Sequence, residues 1–338
     1  MKILIIQTAF IGDVILATGV AESIHAHDPS VQIDFLLRKG NQGLFNHHPF
    51  IHEVLIWDKS ENKIANLFKL IQRIRKAKYD HVINLHRFAS SGLITALSGA
   101  VNTVGFNKNP LSLFFKRSYP HQIGRKGDVF EHETDRNYAL LNDIISAEKK
   151  LPRLYPSSQD FEKITPYQQV SYICIAPSSV WFTKQWPEAK WIELINMIPE
   201  NYTIHLLGAP SDKALCERIV QKSQRTNINS LCGQLSFLES AALMQKATMN
   251  YVNDSAPMHM ASSMNAPVTA IYCSTIPEFG FGPLSDQSHI VEVQEDLSCR
   301  PCGLHGYKAC PKGHFKCAEL IDPKKILEQT LYTHIKIS

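Results

Sequence analysis

Short apolar runs rich in β-branched residues alternate along this chain with longer stretches of helical period, the signature of parallel strands joined by crossover helices. In the first half, residues 3–7, 32–37, 54–57, 81–85 and 101–104 read as strands. Between them, 14–27 and 62–77 read as helices, the second with Ile64, Leu67, Leu70, Ile71 and Ile74 at helical spacing. Residues 107–128 break the pattern with Pro, Gly, aromatic and basic side chains, and 131–147 resume a helical one. Stretch 151–166 carries Pro152, Pro156 and Pro166 and reads as a linker. The second half repeats the alternation, with strands at 170–176, 203–207, 228–231, 249–253 and 268–272 and helices at 188–197, 212–223, 237–245 and 258–264. Ser236 with Glu239 forms a capping-box pair, and Pro257 suits a first helical position. The pattern predicts an α/β protein of two Rossmann-like, doubly wound domains, 1–158 and 159–338, facing across a cleft. A ligand is expected there, at the carboxyl ends of the strands.

Composition narrows the field. A length of 338 residues suits two domains, and 44% hydrophobic residues supply their cores. Lys+Arg 35 against Asp+Glu 31 leaves a net charge of +4, which calls for no nucleic-acid partner. Asp13 interrupts the apolar start and only Lys2 precedes it, so the start reads as strand and helix rather than as a signal peptide. No apolar stretch reaches the ~18 residues of a spanning helix, so a cytoplasmic protein, soluble or peripheral at the membrane, is expected. Cys174, Cys216, Cys232 and Cys273 sit in apolar segments and read as reduced core cysteines. Cys299, Cys302, Cys310 and Cys317 cluster, and their spacing suits a structural zinc held by four thiolates. Packed free thiols are the competing reading.

Candidate chemistry sits in the turns. Gly12-Asp13 opens the first helix, where the carboxylate serves either as helix-dipole partner or as general base. The turn lacks the G-x-G-x-x-G of a dinucleotide loop, which argues against a nicotinamide cofactor. The loop before Pro187 brings Ser178, Ser179, Thr183 and Lys184 to a helix start, a combination suited to phosphate. Asp212 follows a strand end, where an acid either meets ribose hydroxyls or caps a helix. The string Asn253-Asp254-Ser255-Ala256-Pro257-Met258-His259 joins a strand to a helix whose first amides suit a diphosphate. Basic residues flank apolar ones in 62–78 and in 107–118, with Leu113, Phe114, Lys108, Lys116 and Arg117 in the latter; these are either solvated faces or contacts to an anionic lipid surface. Arg87, just past a strand end, is the candidate contact for an acidic acceptor sugar.

Taken in order, Ile11-Gly12-Asp13, Lys184-Gln185-Trp186-Pro187, Leu207-Gly208-Ala209-Pro210-Ser211-Asp212, Leu231-Cys232-Gly233 and Asn253 to Ala261 resemble glycosyltransferase family 9, the ADP-heptose:lipopolysaccharide heptosyltransferases. The resemblance spans both halves. It implies a GT-B fold, with an N-terminal acceptor domain and a C-terminal nucleotide-sugar domain, and an inverting transfer of heptose from ADP-heptose to the lipopolysaccharide inner core. It also implies Asp13 as base, Lys184 as phosphate contact, Asp212 near the ribose, and Asp254, Ser255, Met258 and His259 in the donor loop. Where the family usually has Gly before the proline, this chain has Ala256, so a negative φ is expected there. No Asp-x-Asp metal motif occurs, so no cofactor is expected for the chemistry and the leaving charge falls to Lys184, hydroxyls and helix N-termini. A transferase or epimerase for another nucleotide sugar, and a non-catalytic nucleotide-sugar-binding protein, are the alternatives.

Overall fold

The computed structural model describes residues 1–335 apart from 61 and 147, and only the backbone of 331–335. The chain divides into two compact units, Met1–Ile123 with Glu131–Tyr155, and Gly124–Phe130 with the chain from Pro156 onward.

The first unit contains β1 (Lys2–Ile6), α1 (Ile11–His27), β2 (Gln32–Arg38), β3 (Ile51–Trp57), α2 (Lys63–Ala77), β4 (His81–Asn84), α3 (Ala89–Leu97), β5 (Asn102–Phe106), β6 (Arg117–Tyr119) and α4 (Glu133–Ala139). Its strands are parallel, in the order β3-β2-β1-β4-β5-β6. Ile3 to Ile6 are fully buried because β1 is central and covered on both faces, which is why it reads as one continuous apolar run. Helix α1 packs with α4, and α2 with α3.

The second unit holds α5 (Ser158–Ile164), β7 (Tyr172–Ala176), α6 (Glu188–Met197), β8 (Thr203–Leu206), α7 (Lys213–Lys222), β9 (Ile228–Ser230), α8 (Phe237–Gln245), β10 (Met249–Asn253), α9 (Ala256–Ser263), β11 (Val268–Tyr272), β12 (Ser288–Glu292), α10 (Lys316–Glu319) and α11 (Pro323–Ile335). Its parallel order is β12-β11-β10-β7-β8-β9. Trp186 and Trp191 meet edge to face at 5.0 Å in a core that also takes in Phe315 and Cys317. Cys174, Cys216, Cys232 and Cys273 are buried and free, as core thiols should be. Ser236 and Glu239 form the expected capping box, Ser236 N donating at 2.7 Å and Glu239 N at 3.1 Å.

Several elements differ from the pattern. The proline-rich stretch read as a linker contains α5, started by a reciprocal Ser157–Asp160 cap. The helix expected at 131–147 is α4 alone, followed by turns, and residue 147 lies outside those described. Strands β6 and β12 and helices α3, α10 and α11 are additions to the pattern; β6 and α10 are short, and α3 is small and polar at its start. Among the described residues, no helix is long and apolar enough to cross a membrane.

In each sheet the strand order reverses once beside the first strand, between β1 and β4 and between β7 and β10. Loops leaving such neighbours diverge to opposite faces and open a crevice at their carboxyl ends. The turns singled out in the sequence leave these four strands, with Asp212 one strand further out, after β8.

Candidate active site

In the second unit the loop after β7 and the loop after β10 are tied together. The Asn253 side chain accepts from Trp186 N at 2.9 Å and donates to the Pro177 carbonyl at 2.9 Å and the Ser178 carbonyl at 3.3 Å. Lys184 Nζ lies 2.6 Å from Asp254 Oδ2, with both side chains largely buried. The same oxygen accepts the Thr275 hydroxyl at 2.6 Å, so the carboxylate is aimed from two sides. A lysine in the loop after a strand, held by a pre-set carboxylate rather than by water, is ready to meet an anion at little ordering cost.

The other residues expected to bind the donor take different parts. Ser255 precedes α9 in an extended conformation, and Ala256 and Pro257 form the helix start. Ala256 has a negative φ, as expected, since it is helical and absent from the left-handed residues. Met258, expected in the donor loop, turns its side chain into the core. Its side chain is fully buried, its sulfur accepts from the Tyr272 hydroxyl at 3.6 Å, and its amide donates to the Ser255 carbonyl at 3.0 Å. His259 is buried in the same turn. Ser178 and Ser179 are half-buried, their carbonyls accepting from Asn253 and Gln185. Thr183 is buried, and its hydroxyl accepts from Ser274 at 3.0 Å and from Tyr307 N at 2.8 Å. Asp212 caps its own turn, taking the Ala209 amide at 2.8 Å on one oxygen.

In the first unit, Asp13 lies half-buried in the first turn of α1 and is not its N-cap, a place Phe10 occupies without a side-chain cap. An acid in that turn complements the positive end of the helix dipole. At the neighbouring switch-point strand, His86 meets the Thr8 hydroxyl at 3.0 Å, and burial followed by the Lys59 and Arg87 charges pushes its pKa down to about 4. Arg87 donates to His121 Nδ1 at 3.4 Å, so the His121 proton sits on Nε2, 3.0 Å from Glu133, whose carboxylate also takes Arg136 at 2.8 Å. Lys59 donates to the Thr8 carbonyl at 3.4 Å and stacks on Trp57, and its pKa is held down by burial and then by Arg38 and Lys63. This edge therefore concentrates positive charge from Arg38, Lys59 and Arg87.

A third feature projects from the first unit. On the single turn Ser112–Phe114, Leu113 is 93% and Phe114 69% exposed, while Phe115 beneath them is buried. The Asn109 side chain donates to the His86 carbonyl at 3.0 Å and the Phe88 carbonyl at 3.1 Å, pinning this turn to the segment that carries Arg87.

Among Cys299, Cys302, Cys310 and Cys317, only Cys317 is buried. Cys302 Sγ donates to the Cys299 carbonyl at 3.2 Å, and Cys299 Sγ lies 3.8 Å from His314 Nε2. Among the described residues, no three His, Cys, Asp or Glu side chains are grouped to hold a metal ion.

The sequence pattern gives no role to Thr275, Arg300 and Tyr307 in the second unit or to Arg38, Lys59 and His121 in the first, and it names Asn253 only as the start of the string before α9. Only Asn253 carried a signal, an amide closing an apolar strand just before Asp254.

Solved structures share this architecture. The glycosyl transferase family 9 protein from Veillonella parvula DSM 2008 superposes with a TM-score of 0.84 at 21% identity, covering 100% of this chain and 98% of that one. E. coli heptosyltransferase WaaC with ADP superposes with a TM-score of 0.75 at 19% identity, covering 98% and 100%. The fold is thus GT-B, an architecture of glycosyltransferases. The chain belongs to glycosyltransferase family 9 (heptosyltransferase), whose family model matches residues 67–307. Lipopolysaccharide heptosyltransferase 3 of Escherichia coli is 27% identical over 280 residues, 79% of this chain and 82% of that relative.

Proposed function

We propose that this glycosyltransferase moves a heptose, with inversion, from ADP-heptose to an acceptor in the lipopolysaccharide inner core. The observation that carries the reading is the buried Lys184–Asp254 pair, aimed by Thr275, at the switch point of the second unit. As the acceptor hydroxyl attacks the anomeric carbon, the bond to the diphosphate breaks and its electrons leave with the phosphate oxygen. Lys184 and the N-terminal end of α9 meet that growing charge, and a cation placed where charge develops lowers the barrier more than it tightens binding. Asp13 takes the proton from the attacking hydroxyl. Donor chemistry is supported by the named ligand of the structural relative, ADP, and acceptor chemistry by the named activity of the sequence relative.

The basic edge at Arg38, Lys59 and Arg87 suits an acidic acceptor sugar, Arg87 being held in place through His121 and Glu133. Leu113 and Phe114, flanked by the exposed Lys108 and Lys116, suit the anionic surface of the membrane in which a lipid-linked acceptor resides. For the four clustered cysteines, a structural zinc is proposed on their spacing alone.

Thermal shift across nucleotide sugars tests the donor. ADP-heptose at 100 times its Kd should add about 2.7 kcal/mol, with UDP- and GDP-sugars adding far less. Asp13→Asn should keep that shift and lose roughly 100- to 10,000-fold in turnover. Stabilisation by a different nucleotide sugar would redirect the donor, and wild-type turnover in the variant would remove Asp13 as base.

A further inference from the structure

The Cys-rich segment does not hang from the second unit; it packs against the loop that carries Thr183 and Lys184. Thr183 and Tyr307 bond reciprocally, Thr183 N donating to the Tyr307 carbonyl at 3.1 Å and Tyr307 N to the Thr183 hydroxyl at 2.8 Å. Gly306, immediately before, has φ +78°, and a Cβ there would meet Thr183 Oγ1 at 2.8 Å, Lys184 Cγ at 3.1 Å and Ser274 Oγ at 3.3 Å. The backbone of this segment therefore lies directly against the lysine stem. Cys302 N donates to the Ser274 carbonyl at 2.8 Å. Arg300, buried, donates to the carbonyls of Cys273 at 2.8 Å and Thr275 at 2.7 Å and pairs with Glu292 at 2.7 Å. Thr275 is the residue whose hydroxyl aims Asp254. Phe182 stacks on Phe315 at 5.1 Å, closing the far side of the loop.

We propose that segment 300–307 is a brace that positions the Lys184–Asp254 pair. Gly306 and Tyr307 set the lysine from one side, and Arg300 sets the aspartate from the other through Thr275. These are positioning residues, since none of them needs to touch the donor. The consequence for it rests on the reading of Lys184 as a diphosphate contact, and the test separates the two.

Gly306→Ala and Gly313→Ala in the full-length protein make a matched pair. Both glycines have positive φ in the same segment, but a Cβ at Gly313 meets nothing within 4 Å, so both variants carry the backbone strain and only the first pushes on Lys184. Amine labelling of Lys184 by acetic anhydride, read by peptide mass spectrometry, reports the buried pair without any assumption about function. Gly306→Ala should raise it roughly 2- to 5-fold and Gly313→Ala should not. ADP affinity by calorimetry should fall roughly tenfold in Gly306→Ala and stay within about twofold in Gly313→Ala. If Gly306→Ala fails to fold, Thr183→Val, which removes the hydroxyl that receives Tyr307 N, should raise labelling in its place. Unchanged labelling at Lys184 overturns the brace whatever ADP does. Weakened ADP binding in Lys184→Ala but not in Gly306→Ala overturns it as well. Raised labelling in Gly306→Ala, with ADP binding intact in both variants, upholds the brace and removes Lys184 from the donor site.

Discussion

Glu22 shows how far a single environment shifts a residue in this protein. It sits on α1 with the Tyr155 hydroxyl 3.0 Å from each carboxylate oxygen, and burial outweighs the Tyr155 bond and the Arg153 charge to push its pKa up to about 7. Between the ordinary carboxylate value and about 7, the folded chain holds a proton that the unfolded chain releases. Stability is therefore lost as pH rises through that window. Glu22→Gln keeps an acceptor for Tyr155 and removes the titration. It should be more stable than wild type at pH 8 by on the order of 1 to 2 kcal/mol and equal to it near pH 4, as urea midpoints at the two pH values would show. A constant difference at both values would mean that Glu22 titrates normally. At this same scale, Lys184, Asp13 and Asp254 were legible because their neighbours in the chain make a recognisable turn. Thr275 and Arg300 were not, because Thr275 finds Asp254 21 positions away and Arg300 finds the Cys273 carbonyl 27 away.

Among the elements, the turn Ser112–Phe114 makes the sharpest prediction. Residues 107–118 contain no acid, Arg117 is paired with Asp143, and Lys108 and Lys116 are exposed beside the two apolar tips. Inserting Leu113 and Phe114 below the headgroups should contribute about 1.5 to 3 kcal/mol per side chain. The double variant Leu113→Ser with Phe114→Ser should therefore weaken co-sedimentation with phosphatidylglycerol vesicles tenfold or more while leaving the melting temperature unchanged. Equal binding by both proteins would make the turn an ordinary surface loop. Element boundaries elsewhere show what period alone can carry. The apolar strands β1 and β7 were plain, since burial on both faces writes a continuous run. Helix α5 was hidden, because seven residues between Pro156 and Pro166 are too few for a stripe and only the Ser157–Asp160 cap marks its start.

For the molecule as a whole, the two sheets are separate cores, so a staple in the Cys-rich segment would act on one of them. If Cys299, Cys302, Cys310 and Cys317 bind zinc, freshly reduced protein carries about one zinc per chain and a chelator lowers the melting of the second unit alone. Metal-free protein of unchanged stability ends that proposal and leaves packed thiols. The sequence by itself determined the α/β class, the two doubly wound halves and the turns that make up the candidate site, because hydrophobic period and turn residues act over a few positions. Only the tertiary structure decided which of those turns meet. It brought Lys184 to Asp254 across 70 positions by placing β7 beside β10, turned Met258 into the core, sent the segment 124–130 to the second unit, and folded the cysteine-rich stretch against the loop that carries Thr183 and Lys184. Strand order is set by packing among distant segments, and nothing local to a strand records which neighbour it will have.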